Sequence, residues 1–142
     1  MRRFLIVGNQ TLASDELRAA VRERLAGEEC RFHIVVPATP PHEHFSWSEG
    51  EAITVARRHL DEALAWMDAE GATCTGAVGD TSPALAVADT LEREPFDEII
   101  VSTLPSGVSR WIRKDLPHRL AHRTGLPIVH VVAGVHEPET SR

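Results

Sequence analysis

The sequence predicts an α/β fold: a single domain with a five-stranded parallel sheet and helices on both faces. Three observations predict it. Five short apolar runs, at residues 4–7, 32–36, 74–78, 98–101 and 128–132, are spread along the 142 residues. Three of these runs are β-branched and nearly unbroken, as strands covered on both faces should be. The segments between them space their apolar residues three and four apart, the period of a helix with one buried side. The order is therefore β-α-β-α-β-α-β-α-β, and right-handed crossovers leave few ways to arrange it.

Each element has its own local signal. After the first strand, Ser14 reads as an N-cap, with Asp15 and Glu16 in the first turn where the helix dipole favours acids. Leu17, Val21 and Leu25 then form one apolar stripe, and Gly27 is expected to close the helix in the left-handed region. The second strand leads into an irregular insertion over residues 37–49, "PATPPHEHFSWSE". A longer helix follows, with Ile53, Ala56, Leu60, Leu64 and Met67 as its expected buried stripe and Gly71 as its stop. Pro83 opens the third helix, where a missing N–H costs least, and Leu85, Ala88 and Leu91 are its expected stripe. Beyond the fourth strand come a small-residue loop, a short helical turn carrying Arg110 and Arg113, a break at Leu116-Pro117, a last helix and the fifth strand. The domain is read as residues 1–136, with 137–142 as a frayed tail.

Composition narrows the function classes. A net charge of −6 argues against a protein that coats nucleic acid, because neutralising phosphates needs a basic surplus. Cys30 and Cys74 lie in apolar segments without metal-ligand spacing, so they read as buried free thiols in a reducing compartment. No apolar run has the length of a membrane span, and Met1-Arg2-Arg3 leads straight into a strand without a cleavage-site pattern. The expected location is the cytoplasm, with neither nucleic acid nor membrane as a partner.

In an open parallel sheet, ligands gather at the carboxyl ends of the strands. Those ends carry Gly8-Asn9-Gln10, Pro37 onward, Gly79-Asp80-Thr81 and the loop from Ser102 to Ser109. In the last of these, Gly107 tolerates any backbone angle, so several N–H groups can converge on an anion, and Ser109 is placed to cap the turn that carries Arg110. A Ser/Gly loop before a helix is also often nothing more than a loop and an N-cap.

Three stretches, "FLIVGNQ", "VGDTSPALAVADTLEREPFDEIIVST" and "RLAHRTGLPIVHVV", resemble the universal stress protein family over nearly the whole chain. That resemblance implies a five-stranded parallel α/β fold and pairing into dimers. In one branch of the family it also implies ATP binding through G-x2-G-x9-G-[ST] after the fourth strand and an Asp after the first. Here the motif positions hold Ser102, Pro105, Asp115 and Leu116, and Asn9 stands in place of the acid. Proline has no N–H to offer a phosphate, and an aspartate adds a like charge. At about 4 Å such a pair repels by roughly 1 to 4 kcal/mol.

The resulting expectation is a binding or regulatory module, with an adenine nucleotide as the cofactor class that the resemblance brings and ATP disfavoured by the lining. Ser102, Thr103, Ser106, Gly107, Val108, Ser109 and Arg110 are the candidates for an anionic group; Gly8, Asn9, Gln10, Val36 and Pro37 are the candidates for the remainder of the ligand, with Asn9 suited to a base or ribose. A homodimer through the uncharged fifth strand is expected, since a bare edge needs cover. Two alternatives stand beside this: a ligand-free dimeric scaffold, and an enzyme on a nucleotide or phosphate ester using Asp80 or Asp115.

Other clusters have blander readings. His42-Glu43-His44 lacks a third spaced ligand, so no metal is expected. Phe45 and Trp47 read as pins for the insertion, Asp80 as a cap for the third helix, and Trp111 as a core or interface residue. His118 and His122, one turn apart beside Arg119, read as a wet cationic face.

Overall fold

Why the strands stack as they do follows from which runs are apolar on both sides. In the computed structural model, which describes residues 1–39, 48–105, 109–113 and 115–134, the strands are β1 (Arg2–Val7), β2 (Cys30–Pro37), β3 (Cys74–Gly79), β4 (Glu98–Thr103) and β5 (Ile128–Val132). They form one parallel sheet in the order β3-β2-β1-β4-β5. β4, apolar on both faces, is buried along its whole length beside β1, whereas β5 at the edge is only partly covered. The doubly wound fold predicted from sequence is the one the chain adopts.

The helices are α1 (Asp15–Leu25), α2 (Glu49–Ala69), α3 (Pro83–Arg93), α4 (Arg110–Arg113) and α5 (Leu116–Thr124). One core layer joins Leu17 and Val21 of α1 and Ala56, Leu60, Ala63, Trp66 and Met67 of α2 to Phe4, Ile6, Phe32, Ile34 and Ile100 of the sheet. On the other face, Ala84, Ala86 and Val87 of α3 and Leu116 and Leu120 of α5 meet Leu5, Val7, Val35, Ile99 and Val101. Alternate residues of β1 thus serve opposite layers, as the two-residue period of a strand requires. Among the described residues no helix is long and apolar enough to cross a membrane.

Capping follows the sequence with exceptions. Ser14 accepts from the Leu17 N–H, Ser48 forms a reciprocal capping box with Glu51, and Ser82 caps α3 with Pro83 at its start. Gly71 is left-handed, φ 83°. Gly27 is not among the left-handed residues; α1 ends instead on Ala26 in a right-handed conformation, its N–H bonded to the Arg22 carbonyl. The left-handed stop that the sequence did not announce is Gly125, φ 71°, at the end of α5.

Two helix stripes also differ from expectation. In α2 the buried residues are Ala52, Ala56, Leu60, Ala63, Trp66 and Met67, and Ile53 is 41% exposed. In α3 the buried ones are Ala84, Ala86, Val87 and Thr90, while Leu85 is 50% exposed and Ala88 lies outside. Alanines explain both. They count little in a hydrophobicity pattern, yet they let a helix sit close to a sheet, so the small-residue side turns inward and larger residues are left at the rim. Gly76 in β3 shows how close: a Cβ there would lie 2.5 Å from Leu60 Cδ1 and 3.1 Å from the Ile34 carbonyl oxygen.

Glu98 opens β4 from a buried position at the amino end of the sheet. Its carboxylate accepts from Arg24 Nη2 at 2.8 Å and Arg2 Nη2 at 3.4 Å. Both guanidinium carbons also stand 5.4 Å from the centre of the Phe4 ring.

Candidate functional site

The strand order reverses between β1 and β4: α1 leaves β1 toward one face, and the chain after β4 leaves toward the other. A crevice opens at such a point. Its floor here is built from the β1–α1 loop and the last residues of β4. Gly8 is buried, and a Cβ on it would sit 2.8 Å from Leu12 Cδ2 and 3.3 Å from Ser102 Cβ, so a side chain there would have to push Leu12 and β4 aside. Next to it, Thr11 Oγ1 and Ser102 Oγ share a 2.5 Å hydrogen bond across the crevice, both residues buried. Ser102 is thus at the predicted place, with its hydroxyl already engaged.

Asn9 is 8% exposed, and its amide works in two directions. Nδ2 donates to the Pro37 carbonyl at 2.9 Å, and Oδ1 lies 2.6 Å from His59 Nδ1. The amide ties the end of β1 to the end of β2 and to the middle of α2. Around it, the Ala38 N–H donates to the Gly79 carbonyl, the Thr39 N–H to Pro37, and the Thr39 hydroxyl to Thr81. Val36 and Pro37 are buried, and Gln10 is exposed at the rim. Thr103 is buried with its hydroxyl 2.8 Å from His130 Nε2 on β5.

On the β4 side, Ser109 is buried and its Oγ accepts from the Ile112 N–H at 3.2 Å, capping α4 as the sequence suggested. Arg110 begins α4. Ser106, Gly107 and Val108 lie outside the described residues, as do His42, Glu43, His44, Phe45, Trp47 and the 137–142 tail. Pro105 is exposed, with its carbonyl accepting from the Ser109 N–H. Asp115 is exposed and left-handed, φ 57° and ψ 42°, between α4 and α5. The resemblance read from the sequence sets the last glycine of the nucleotide motif against this residue. The backbone has the conformation that glycine enters with least strain, but the residue there carries a negative charge.

Asp80, read from sequence as the cap of α3, is not the cap. Its Oδ1 accepts from the Ser82 N–H at 2.8 Å, and Ser82 itself caps the helix. Trp111 is half-buried against the second core layer. His118 and His122 are both exposed on α5. Cys30 and Cys74 are unpaired and half-buried; burial pushes the Cys74 thiol up to about 12 and raises Cys30 as well, which leaves little reactive thiolate. Among the described residues, no group of three or more His, Cys, Asp or Glu side chains could hold a metal ion.

Two residues at the candidate site are not among those expected from the sequence. Thr11 is one, since nothing local marks its pairing with a serine 91 positions away. His59 is the other, and it had a signal: it lies three residues after Ala56 and four before Ala63, on the buried side of α2. Burial, with Arg58 adding and Glu62 opposing, holds its imidazole below the usual histidine range.

No family model matches the chain, and no curated protein sequence matches it. Solved structures do. A universal stress protein from Archaeoglobus fulgidus superposes with a TM-score of 0.62 at 17% identity, over 92% of this chain and 93% of that one. A universal stress protein family protein from Arabidopsis thaliana, with AMP bound, superposes with a TM-score of 0.66 at 7% identity, over 95% of this chain and 94% of that one. The chain has the universal stress protein fold. At these identities the likeness concerns the path of the backbone.

Proposed function

We propose that this chain is a universal-stress-protein-like regulatory module whose strand-end crevice takes a small anion, up to a nucleoside monophosphate, and turns away adenosine triphosphate. The observation that carries this reading is the lining after β4. Pro105 offers no N–H, and exposed, left-handed Asp115 is the residue that the resemblance sets against the motif's last glycine, which supports a lining unfriendly to a polyphosphate tail. Each phosphate added to the ligand brings another negative charge toward Asp115, at roughly 1 to 4 kcal/mol for a pair about 4 Å apart. The AMP held by the Arabidopsis protein of this fold makes a monophosphate the natural first ligand to try. Calorimetric titration with AMP, ADP and ATP tests it. Affinity should fall at each added phosphate, and ATP binding as tightly as AMP would overturn the proposal.

One observation favours a second reading, a dimeric scaffold without ligand. The polar groups at the ends of β1 and β2 are largely bonded to one another: Asn9 to Pro37 and His59, Ala38 to Gly79, Thr39 to Pro37 and Thr81. β5 is an edge strand with no charged residue, and its valines and Ile128 are partly exposed, so pairing with a second copy would cover it. Under this reading, sedimentation gives a dimer, and no nucleotide changes its stability. A monomer at high concentration would refute it.

A further inference from the structure

We infer that His59 is a ligand-binding residue of the strand-end crevice, oriented by Asn9, and that its protonated ring takes a doubly charged anion. This deepens the small-anion reading and rests on it. Hydrogen-bond logic at Asn9 comes first. The Pro37 carbonyl can only accept, so the Asn9 group beside it is the amide NH2, and the oxygen is the end that meets His59. His59 must then donate from Nδ1. The neutral ring keeps its proton there and leaves a lone pair on Nε2, which has no hydrogen-bond partner among the described residues.

Protonation adds a second N–H and a positive charge at Nε2 without breaking the Nδ1–H···Oδ1 bond, so the anion-competent form needs no rotation of the ring. Asn9 is itself buried and anchored at 2.9 Å to the end of β2, which makes the pair a rigid mount. Its position suits a ligand. His59 is tied to Asn9 just beyond the end of β1, where ligands gather in parallel sheets, and the ten residues of α2 before it make about 15 Å of helix.

Charged neighbours bear on the ring from its own helix: Arg58 opposes its protonation and Glu62 favours it. The β1–α1 loop over residues 8–14 and the end of β2 over residues 36–39 contain no charged residue at all. An anion at Nε2 would therefore be the strongest new influence on the ring. By linkage, it would raise the proton affinity of His59 by the same factor that protonation raises its own affinity.

The test uses the full chain with two probes, AMP and sulfate, the latter doubly charged from about pH 5.5 to about pH 8. Ring nitrogen resonances of His59 are followed by NMR, and affinities are taken from the same titrations. At the higher pH the ring should show the Nδ1–H tautomer. Sulfate should bind about tenfold or more tightly at the lower pH and move the His59 midpoint upward by about one unit. His59→Gln, which keeps an amide donor toward Asn9, should bind sulfate with equal affinity at both pH values. If sulfate or AMP binds but wild type and His59→Gln respond alike to pH, the role of His59 is overturned while the small-anion reading stands. If neither probe binds at either pH, the small-anion reading falls, and the inference with it. An Nε2–H tautomer at the higher pH would overturn the positioning by Asn9 whatever the affinities.

Discussion

Replacing Glu98 by glutamine should destabilise the protein by about 3 kcal/mol, the low end of the range for removing one partner of a buried ion pair. Structure sets that figure within the range. Glu98 and Arg24 have side chains 12% and 14% exposed and meet at 2.8 Å, so both charges are largely out of water. Arg24 keeps some compensation after the change: Nη1 still donates to the Ala20 carbonyl at 2.9 Å, and Glu23 stands 3.6 Å away. Against this, Arg24 Nε is already buried without a partner, and the glutamine keeps a single accepting oxygen for two guanidinium groups, so when that oxygen stays with Arg24 its NH2 faces Arg2 and the 3.4 Å contact is lost. For a chain of this length, about 3 kcal/mol lowers the melting temperature by about 10 °C. Urea denaturation of wild type, Glu98→Gln, Arg24→Met and the double variant measures the coupling. The double variant should be less damaged than the sum of the singles by about 2 kcal/mol, because it leaves no orphaned charge. Ligand binding at the opposite end of the sheet should not change. A loss below about 1 kcal/mol in Glu98→Gln, or additive singles, would refute the reasoning, since either puts the pair at the value of a surface contact.

Acid should weaken the fold before its carboxylates titrate. His33, His59 and His130 are all held below the usual histidine range, burial being the first cause in each. The unfolded chain therefore binds more protons than the native one below about pH 6.5, and stability present above that pH is lost as pH falls through the folded values. Denaturation midpoints across that interval should drop, and replacing the three histidines with glutamine should flatten the slope. Gly125→Ala should cost about 1 kcal/mol through backbone strain alone, because its φ is 71° and an added Cβ touches nothing within 4 Å. Gly76→Ala should cost about 1 to 3 kcal/mol by overpacking against Leu60, and Leu60→Val should recover part of it in a thermal melt. In the native protein Cys74 should resist alkylation near neutral pH, and labelling at the rate of a free thiol would contradict its burial.

The sheet was legible in the sequence because strand-forming runs announce themselves over a few residues; the positions of β1 to β5 needed no partner to be read. Helix phase was less legible where alanine dominates. Ile53 and Leu85 looked like core residues by hydrophobicity, and both lost that place to alanines that bring α2 and α3 closer to the sheet. Local chemistry was readable at Ser14, Ser109 and Pro83, whose roles are decided within one helical turn. Gly27 shows the limit, because a glycine after a helix permits a left-handed stop without requiring one. At the candidate site, the loops were identifiable from the strand order, but their bonding was not. Asn9 meets a histidine 50 positions away and Ser102 a threonine 91 positions away, and such pairings exist only once the sheet has brought the loops together.

The central seam of the sheet joins segments that the ribosome releases far apart in time. β1 pairs β2 with Phe4 beside Phe32, but on its other side Leu5 lies beside Ile99. When β3 ends at Gly79, β1 still lacks its second neighbour, and the complete β4 is synthesised 24 residues later, at Thr103. At roughly 5 to 20 residues per second, that is about 1 to 5 s during which a greasy, hydrogen-bond-hungry border of the nascent protein stands open. Closing it also means joining the ends of a long chain segment, a slow event for any polymer. The middle of the finished molecule is thus the part most in need of a chaperone's shelter at birth.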